Sequence, residues 1–155
     1  MRSFLVRRIG LVLLLSAILG RPAGGQAPSP ASVAADSSSL AAVRAYFAAY
    51  NAHDIDATVG LLSPDFVWLS AQGDSIAVEA RGLDAIRTGL VNYFKRVPSG
   101  RSDIEAATAL GPWVMVRERA RWVTTSGPQS QAAISVYEVK DGRLKSVCYY
   151  PVVHE

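Results

Sequence analysis

Residues 113–124 read Trp-Val-Met-Val-Arg-Glu-Arg-Ala-Arg-Trp-Val-Thr, and this stretch shows which face of the predicted sheet is buried. Its side chains alternate in character, which is typical of a strand with one buried and one solvated face. One face carries three arginines, and burying three guanidinium groups without partners would cost too much free energy. The opposite face must therefore point into the core, and it carries a single carboxylate. Its members are Val114, Val116, Glu118, Ala120 and Trp122.

The sequence after residue 100 predicts strands only, and the sequence before it predicts mainly helices. Helical spacing of apolar residues predicts a helix at 38–51, a short second helix that Asp54 caps and Pro64 closes, and a third that begins at Gly82 and stops before Pro98. Strands are predicted at 66–70 and 76–80, and then at about 102–110, 113–124, 131–140 and 143–150. Asp141-Gly142 is a strong hairpin signal between the last two.

This order predicts an α+β fold, in which three N-terminal helices pack in a curved, mostly antiparallel sheet. A sheet that curls around helices forms a cone, and its open end is a natural place for a ligand pocket.

The first 27 residues have the three-part pattern of a secretory signal peptide. Arg2, Arg7 and Arg8 precede an apolar run at 9–19, and Gly25-Gln26-Ala27 offers a cleavage site. The run is about half the ~20 residues that a membrane-spanning helix needs, which favours cleavage over the alternative of a membrane anchor. We therefore expect an exported protein that starts near Pro28 and has no membrane contact after cleavage. Residues 28–37 predict a flexible spacer, and 38–155 one domain.

The positive charge of the whole chain belongs largely to this leader. The chain has a net charge of +3 and a pI near 9.2, but without the four arginines of 1–27 it has 12 basic and 13 acidic residues. Arg117, Arg119 and Arg121 are expected to lie on a solvated face and to pair with Asp103 and Glu105 on the adjacent strand. The alternative, nucleic-acid binding by these arginines, is disfavoured because no wider basic patch accompanies them.

Several segments of this sequence resemble the SnoaL-like branch of the nuclear transport factor 2-like superfamily. They are 46–57, 61–68, 81–86, 137–144 and 147–150, and the resemblance covers about 38–153. It implies a cone-shaped, cystatin-like roll. It does not imply one reaction, because the superfamily includes isomerases, cyclases, epoxide hydrolases, dehydratases and proteins without known activity.

Two enzyme groups of the superfamily have known functional residues, and this sequence matches each set only in part. In ketosteroid isomerases a first-helix Tyr donates to the oxyanion, and its place matches Tyr46. The place of their catalytic base matches Ser70, and that of their second oxyanion donor matches Ser135, which argues against that isomerase chemistry.

Limonene-type epoxide hydrolases use an Arg and two Asp together. An ungapped match places one Asp on Glu118, the Arg on Val116 and the other Asp on Tyr149, and a two-residue gap would place the Arg on Arg119. That triad is not intact either.

Glu118 is the sharpest candidate for chemistry, because a carboxyl surrounded by apolar side chains has a raised pKa and suits a general acid or base. The alternative is a structural Glu bonded to a Tyr or to the backbone. The expected catalytic residues are Glu118, Tyr46 and Tyr149. The expected ligand-binding residues are Tyr50, Trp68, Ser70, Trp122, Ser135 and Tyr137, around a small hydrophobic molecule with one or two oxygens. No cofactor and no metal is expected, because His53, placed in an exposed loop, and His154 belong to no ligand cluster.

Two kinds of function stay open from the sequence. One is an enzyme or ligand-binding domain with an open pocket. The other is a non-catalytic accessory or dimerisation module, whose aromatic residues fill the cone. The resemblance also implies a homodimer through the outer sheet face, because this face often forms dimers in the superfamily. Here that face is expected to carry four apolar residues: Trp113, Met115, Ile134 and Val136.

Overall fold

A computed structural model of the protein describes residues 29–150 and 153–154, and the predicted signal peptide at 1–27 lies outside the described residues. The helices are α1 (Pro30–Asn51), α2 (Ile55–Gly60) and α3 (Leu83–Arg96). The strands are β1 (Leu62–Gln72), β2 (Ser75–Arg81), β3 (Arg101–Leu110), β4 (Trp113–Thr124), β5 (Gly127–Lys140), β6 (Arg143–Tyr149) and β7 (Val153–His154).

Six strands form one curved, unclosed sheet in the order β2-β1-β6-β5-β4-β3, and the short β7 pairs with β5. Neighbouring strands are antiparallel except for β1 and β6, which are parallel. The helices pack against this sheet, so the predicted α+β fold is confirmed. The Asp141-Gly142 turn has positive φ at both residues, 51° and 73°, as a tight hairpin turn of this kind requires.

Helix α1 begins at Pro30, well before the predicted start at 38, so residues 30–37 of the predicted spacer are helical. Ser29 caps the helix by accepting a hydrogen bond from the Ser32 amide, and proline is well suited to the first helical turn. The extra turns are also anchored to the sheet, since Asp36 and Ser39 hydrogen-bond the amide and the carbonyl of Gly111.

The predicted end of the second helix was also wrong. Helix α2 ends at Gly60, before Pro64 is reached, and Leu62 is already the first residue of β1. Pro64 lies inside that strand, in the part where the pairing with β6 is irregular between Leu62 and Val67. A proline is tolerated there because it need not donate to a regular ladder.

Strand β4 faces the core as its alternation predicts. Val114 and Val116 are fully buried and Glu118 is 4% exposed, whereas Trp113 and Met115 are about half exposed. The core that surrounds this inner face draws on α1, α2, α3 and the sheet. Its buried members are Val43, Phe47, Val59, Leu62, Phe66, Ile86, Leu90, Val114, Val116, Tyr137, Val139, Leu144 and Val147.

A β-bulge in β3 sets which of its side chains face inward. Ile104 pairs with Glu118, but Ala106 pairs with Arg117, so Glu105 is the extra residue. The bulge keeps Ser102 on the inner side next to Glu118 and turns Glu105 outward, toward the arginines of β4.

Among the described residues, no helix has the length and apolar character that crossing a bilayer requires.

Candidate functional site

The centre of the candidate site is the buried side chain of Glu118 on the inner face of β4. Its Oε2 accepts a 2.6 Å hydrogen bond from Ser102 Oγ, which is also buried. Its Oε1 has no hydrogen-bond partner among the described residues, and neither has the buried hydroxyl of Ser135. An unpartnered buried oxygen costs folding free energy, about 1–3 kcal/mol, so its presence here calls for a reason.

Ser102 is itself held in place by the end of α1. The Asn51 side chain donates from Nδ2 to the Ser102 carbonyl and accepts from the Ser102 amide at Oδ1, both at 2.8 Å. The Asn51 side-chain amide thus fixes the β3 backbone at Ser102, the residue whose hydroxyl binds the Glu118 carboxyl. Helix α1 thereby positions one partner of Glu118.

Burial raises the pKa of Glu118 above its ordinary value of 4.5, because the interior disfavours the charged carboxylate. Three nearby hydroxyls favour the charged form and oppose this increase only in part. Ser102 acts through its hydrogen bond, whereas Ser135 and Tyr149 lie near the carboxyl without the geometry of a hydrogen bond to it. The Glu118 carboxyl therefore keeps its proton to higher pH than a carboxyl in water does.

Tyrosines from two strands and from α1 surround the carboxyl. Tyr137 and Tyr149 bring their hydroxyl oxygens to 3.3 Å from each other, and the Tyr46 ring lies 5.9 Å from that of Tyr137. Burial raises the pKa of all three phenols, and the nearby Glu118 raises each further. They therefore keep their protons at neutral pH, so each phenol has one proton to donate.

Two more of the predicted ligand-binding residues contact this cluster from its sides. Trp68 packs its ring 5.6 Å from Tyr149, and Tyr50 stacks on Tyr46 at 6.3 Å. Tyr50 also contacts Phe94 of α3 at 5.1 Å. The predicted residues that the fold brings together are thus Glu118, Tyr46, Tyr50, Trp68, Ser135, Tyr137 and Tyr149.

Ser70 and Trp122 do not join this cluster. The Ser70 hydroxyl donates to Glu79, the bulged residue of β2, so it turns toward the edge of the sheet. Trp122 lies beyond Ala120 toward the end of β4, and it lines two surface clefts.

Surface clefts approach the cluster from both ends of α3. One, of about 450 Å³, lies between α3 and the β1–β2 edge, and Trp68 and Ile86 are among its walls. A smaller one, of about 180 Å³, lies near the other end of α3, and its walls include Tyr93 and Ala120, the next inward residue after Glu118. Glu118 itself lines neither cleft.

The comparison with known families gives a match to the SnoaL-like domain over residues 43–147, which is most of the described chain. The chain belongs to this family. The comparison with curated proteins found no match.

Solved structures with the same fold include proteins of different descriptions. A LEH-like epoxide hydrolase from M. tuberculosis is 24% identical, with a TM-score of 0.63 over 74% of this chain and 83% of its own. An uncharacterised cystatin-fold protein from Novosphingobium aromaticivorans is 26% identical, with a TM-score of 0.60 over 72% and 96%. A candidate polyketide cyclase from Xanthomonas campestris pv. campestris is 21% identical, with a TM-score of 0.59 over 76% and 92%. These similarities support the fold, and they do not select one reaction.

The arginine face of this SnoaL-like domain is paired with acids as predicted. Arg117 Nε lies 2.9 Å from Glu105, which also pairs with Arg119, and Arg121 pairs with Asp103. Opposite charges thus neutralise much of the outer face along β3 and β4.

His53 was wrongly expected in an exposed loop. It is half-buried at positive φ, its ring stacks 4.0 Å from Phe94, and its Nε2 lies 2.8 Å from the Gly100 carbonyl. The SnoaL-like domain therefore uses it to join the end of α1 to α3 and β3. No cluster of metal-ligating side chains occurs in the part of the chain that the structure describes.

Sequence reasoning missed Ser102 and Asn51, the residues that hold Glu118. If β3 and β4 paired regularly from the Gly111-Pro112 turn, Glu105 would lie opposite Glu118. The bulge shifts this register, and the sequence does not indicate the bulge. The sequence feature that could have pointed to this contact is the polar Asn51 at the end of the first helix. Asn51 alone does not show which residue its side chain binds.

Proposed function

We propose that this SnoaL-like domain is exported and carries out acid–base chemistry on a small, mainly apolar organic molecule that bears one or two oxygens. The observation that carries the proposal is the buried Glu118, whose Oε1 has no partner among the described residues and whose pKa is raised. A raised pKa brings a carboxyl nearer to neutral pH, where it both takes up and returns a proton.

The neighbours of Glu118 fit a division of roles. Ser102 occupies Oε2 and fixes the carboxyl, which leaves Oε1 as the oxygen that exchanges a proton with the ligand. Tyr46 and Tyr149 remain protonated and donate hydrogen bonds to a ligand oxygen on which negative charge develops. In this division of roles Tyr137 is the donor in its hydrogen bond to Tyr149, which leaves the Tyr149 proton for the ligand.

The ligand class follows from the walls around the carboxyl. Apart from a few hydroxyls, they are aromatic and aliphatic side chains from α1, α3 and the sheet. We expect the ligand to enter through the clefts at Trp68 or at Ala120, with the rings of Trp68 and Tyr50 binding its apolar part.

A second candidate function is a non-catalytic accessory or dimerisation module. The contacts between Trp68 and Tyr149 and between Tyr46 and Tyr137 favour it, because they occupy interior space that an open pocket would need. In that case Glu118 is a structural acid bonded to Ser102.

Two probe reactions separate these functions. The first is deuterium exchange next to the carbonyl of cyclohexanone in D₂O, followed by NMR, and the second is hydrolysis of styrene oxide. We expect the wild type to accelerate at least one of them, and Glu118→Gln to lose that acceleration by about 100-fold or more, the scale of general acid–base catalysis.

The matched control is Glu138→Gln, since Glu138 alternates with the inward residues of β5 and bonds Ser146. It should keep the wild-type rate. Equal rates for the wild type and Glu118→Gln with both probes would remove the acid–base role and favour the accessory module.

A further inference from the structure

Arg101 and Arg121 lie directly opposite each other in the antiparallel pairing of β3 and β4. Like charges at directly opposed positions destabilise a strand pair. Asp103 pairs with Arg121, but Arg101 is exposed and has no ion-pair partner among the described residues. This end of the sheet therefore holds a guanidinium group whose charge no described residue compensates.

The two arginines line the same surface cleft, which has a volume of about 450 Å³, within the usual range for small-molecule sites. Its other walls combine hydroxyl and amide groups with flat apolar surfaces. They are Ser99, Trp122, Val123, Pro128, Gln129 and Ser130. Ser99 Oγ accepts a 2.8 Å hydrogen bond from the Val123 amide, so its hydroxyl proton is free to be donated to a ligand.

The geometry points to this cleft as a binding site for a small organic carboxylate with a flat apolar part. Arg101 supplies the bidentate guanidinium that suits a carboxylate, and Arg121 and Ser99 add donors. The Trp122 ring and Pro128 supply the apolar surface on which the remainder of the ligand packs.

The site is distinct from Glu118 and stands without the proposed acid–base function. Trp122 nevertheless also lines the small cleft that includes Ala120, two residues from Glu118 on the same face of β4.

Calorimetric titration with 3-phenylpropanoate tests the site, and the neutral 3-phenylpropanamide is the matched ligand. We expect the carboxylate to bind about 10-fold more tightly than the amide, and to lose this advantage as NaCl is raised. Arg101→Gln should weaken carboxylate binding by about 10-fold. Arg117→Gln is the control, because Arg117 pairs with Glu105 and is not among the walls of the cleft, and it should bind as the wild type does.

Three results would overturn the site: no binding of the carboxylate to the wild type, equal affinity for the acid and the amide, or unchanged affinity in Arg101→Gln. Glu118→Gln is titrated in parallel to separate the two proposals. Loss of binding in Arg101→Gln with full binding in Glu118→Gln supports the site whatever the outcome of the probe reactions.

Discussion

Ser102 Oγ donates a 2.6 Å hydrogen bond to Oε2 of Glu118, and both side chains are buried. The bond joins the first strand after α3 to the strand that faces the core. Because Asn51 clamps the Ser102 backbone, the bond also links Glu118 to the end of α1. The carboxyl is therefore held on one oxygen and left without a described partner on the other.

Ser102→Ala tests what this bond contributes. The change leaves Oε2 buried without its donor, so we expect a loss of about 1–3 kcal/mol in the free energy of unfolding and a further increase in the pKa of Glu118. Urea unfolding measures the first effect. Ser126→Ala, in the exposed turn before β5, should change stability very little. A Ser102→Ala protein as stable as the wild type would show that the bond is dispensable.

The contribution of Glu118 to the stability of the wild type should fall as pH rises above 4.5. The folded protein holds the Glu118 proton to higher pH than the unfolded chain, so folding binds protons between the ordinary pKa of 4.5 and the raised one. Within that window the contribution of Glu118 falls by up to about 1.4 kcal/mol per pH unit.

Glu118→Gln lacks this titration, so its stability relative to the wild type should improve across the same window. Parallel curves of unfolding free energy against pH for the two proteins would contradict the raised pKa.

The fold was largely predictable because alternation and turns are local signals. The alternation of side chains within 113–124 is enough to predict which face of β4 is buried. The backbone preference of Asp141-Gly142 is likewise enough to predict a tight hairpin turn. The start of α1 at Pro30 was not predicted, because the contacts of Asp36 and Ser39 with Gly111 are long-range.

The sequence predicted the site residues on the inner face of the sheet, but it did not predict the residues that hold Glu118 in place. Glu118, Ser135 and Tyr149 follow from strand parity, and the structure brings them together. Ser102 faces inward because of the bulge in β3, and Ser70 donates to Glu79, the extra residue of a second bulge in β2. A bulge inverts side-chain parity, and no local pattern in this sequence announces either of them.

The outer sheet face is expected to form a homodimer through its apolar end. Trp113, Met115 and Ile134 are exposed there, and Trp113 lies eight residues, or about 26 Å, along β4 from the Arg121 cleft. Light scattering at micromolar concentration should give twice the subunit mass. Trp113→Arg should give the monomer, and Val78→Arg, an exposed residue of β2, should remain dimeric. A monomeric wild type would contradict the expectation.

Export is expected to remove the leader. Expression of the full chain in a bacterial host, followed by N-terminal sequencing of the exported fraction, should give a first residue near Pro28. Replacing the small residues Gly25 and Ala27 by arginine should block the cleavage, because a signal peptidase site needs small side chains there. Recovery of Met1 on the exported wild type would contradict the prediction.

The Glu118 carboxyl is expected to have a raised pKa and so to be ready for proton transfer. A pH titration of the side-chain carboxyl carbons by NMR, with ¹³C-labelled glutamate in the wild type and in Glu118→Gln, measures it directly, because the variant identifies the Glu118 signal by its absence. We expect this signal to titrate above pH 4.5, and at higher pH than the signal of Glu105, because the arginines paired with Glu105 lower its pKa. A Glu118 signal that titrates at or below 4.5 would contradict this expectation.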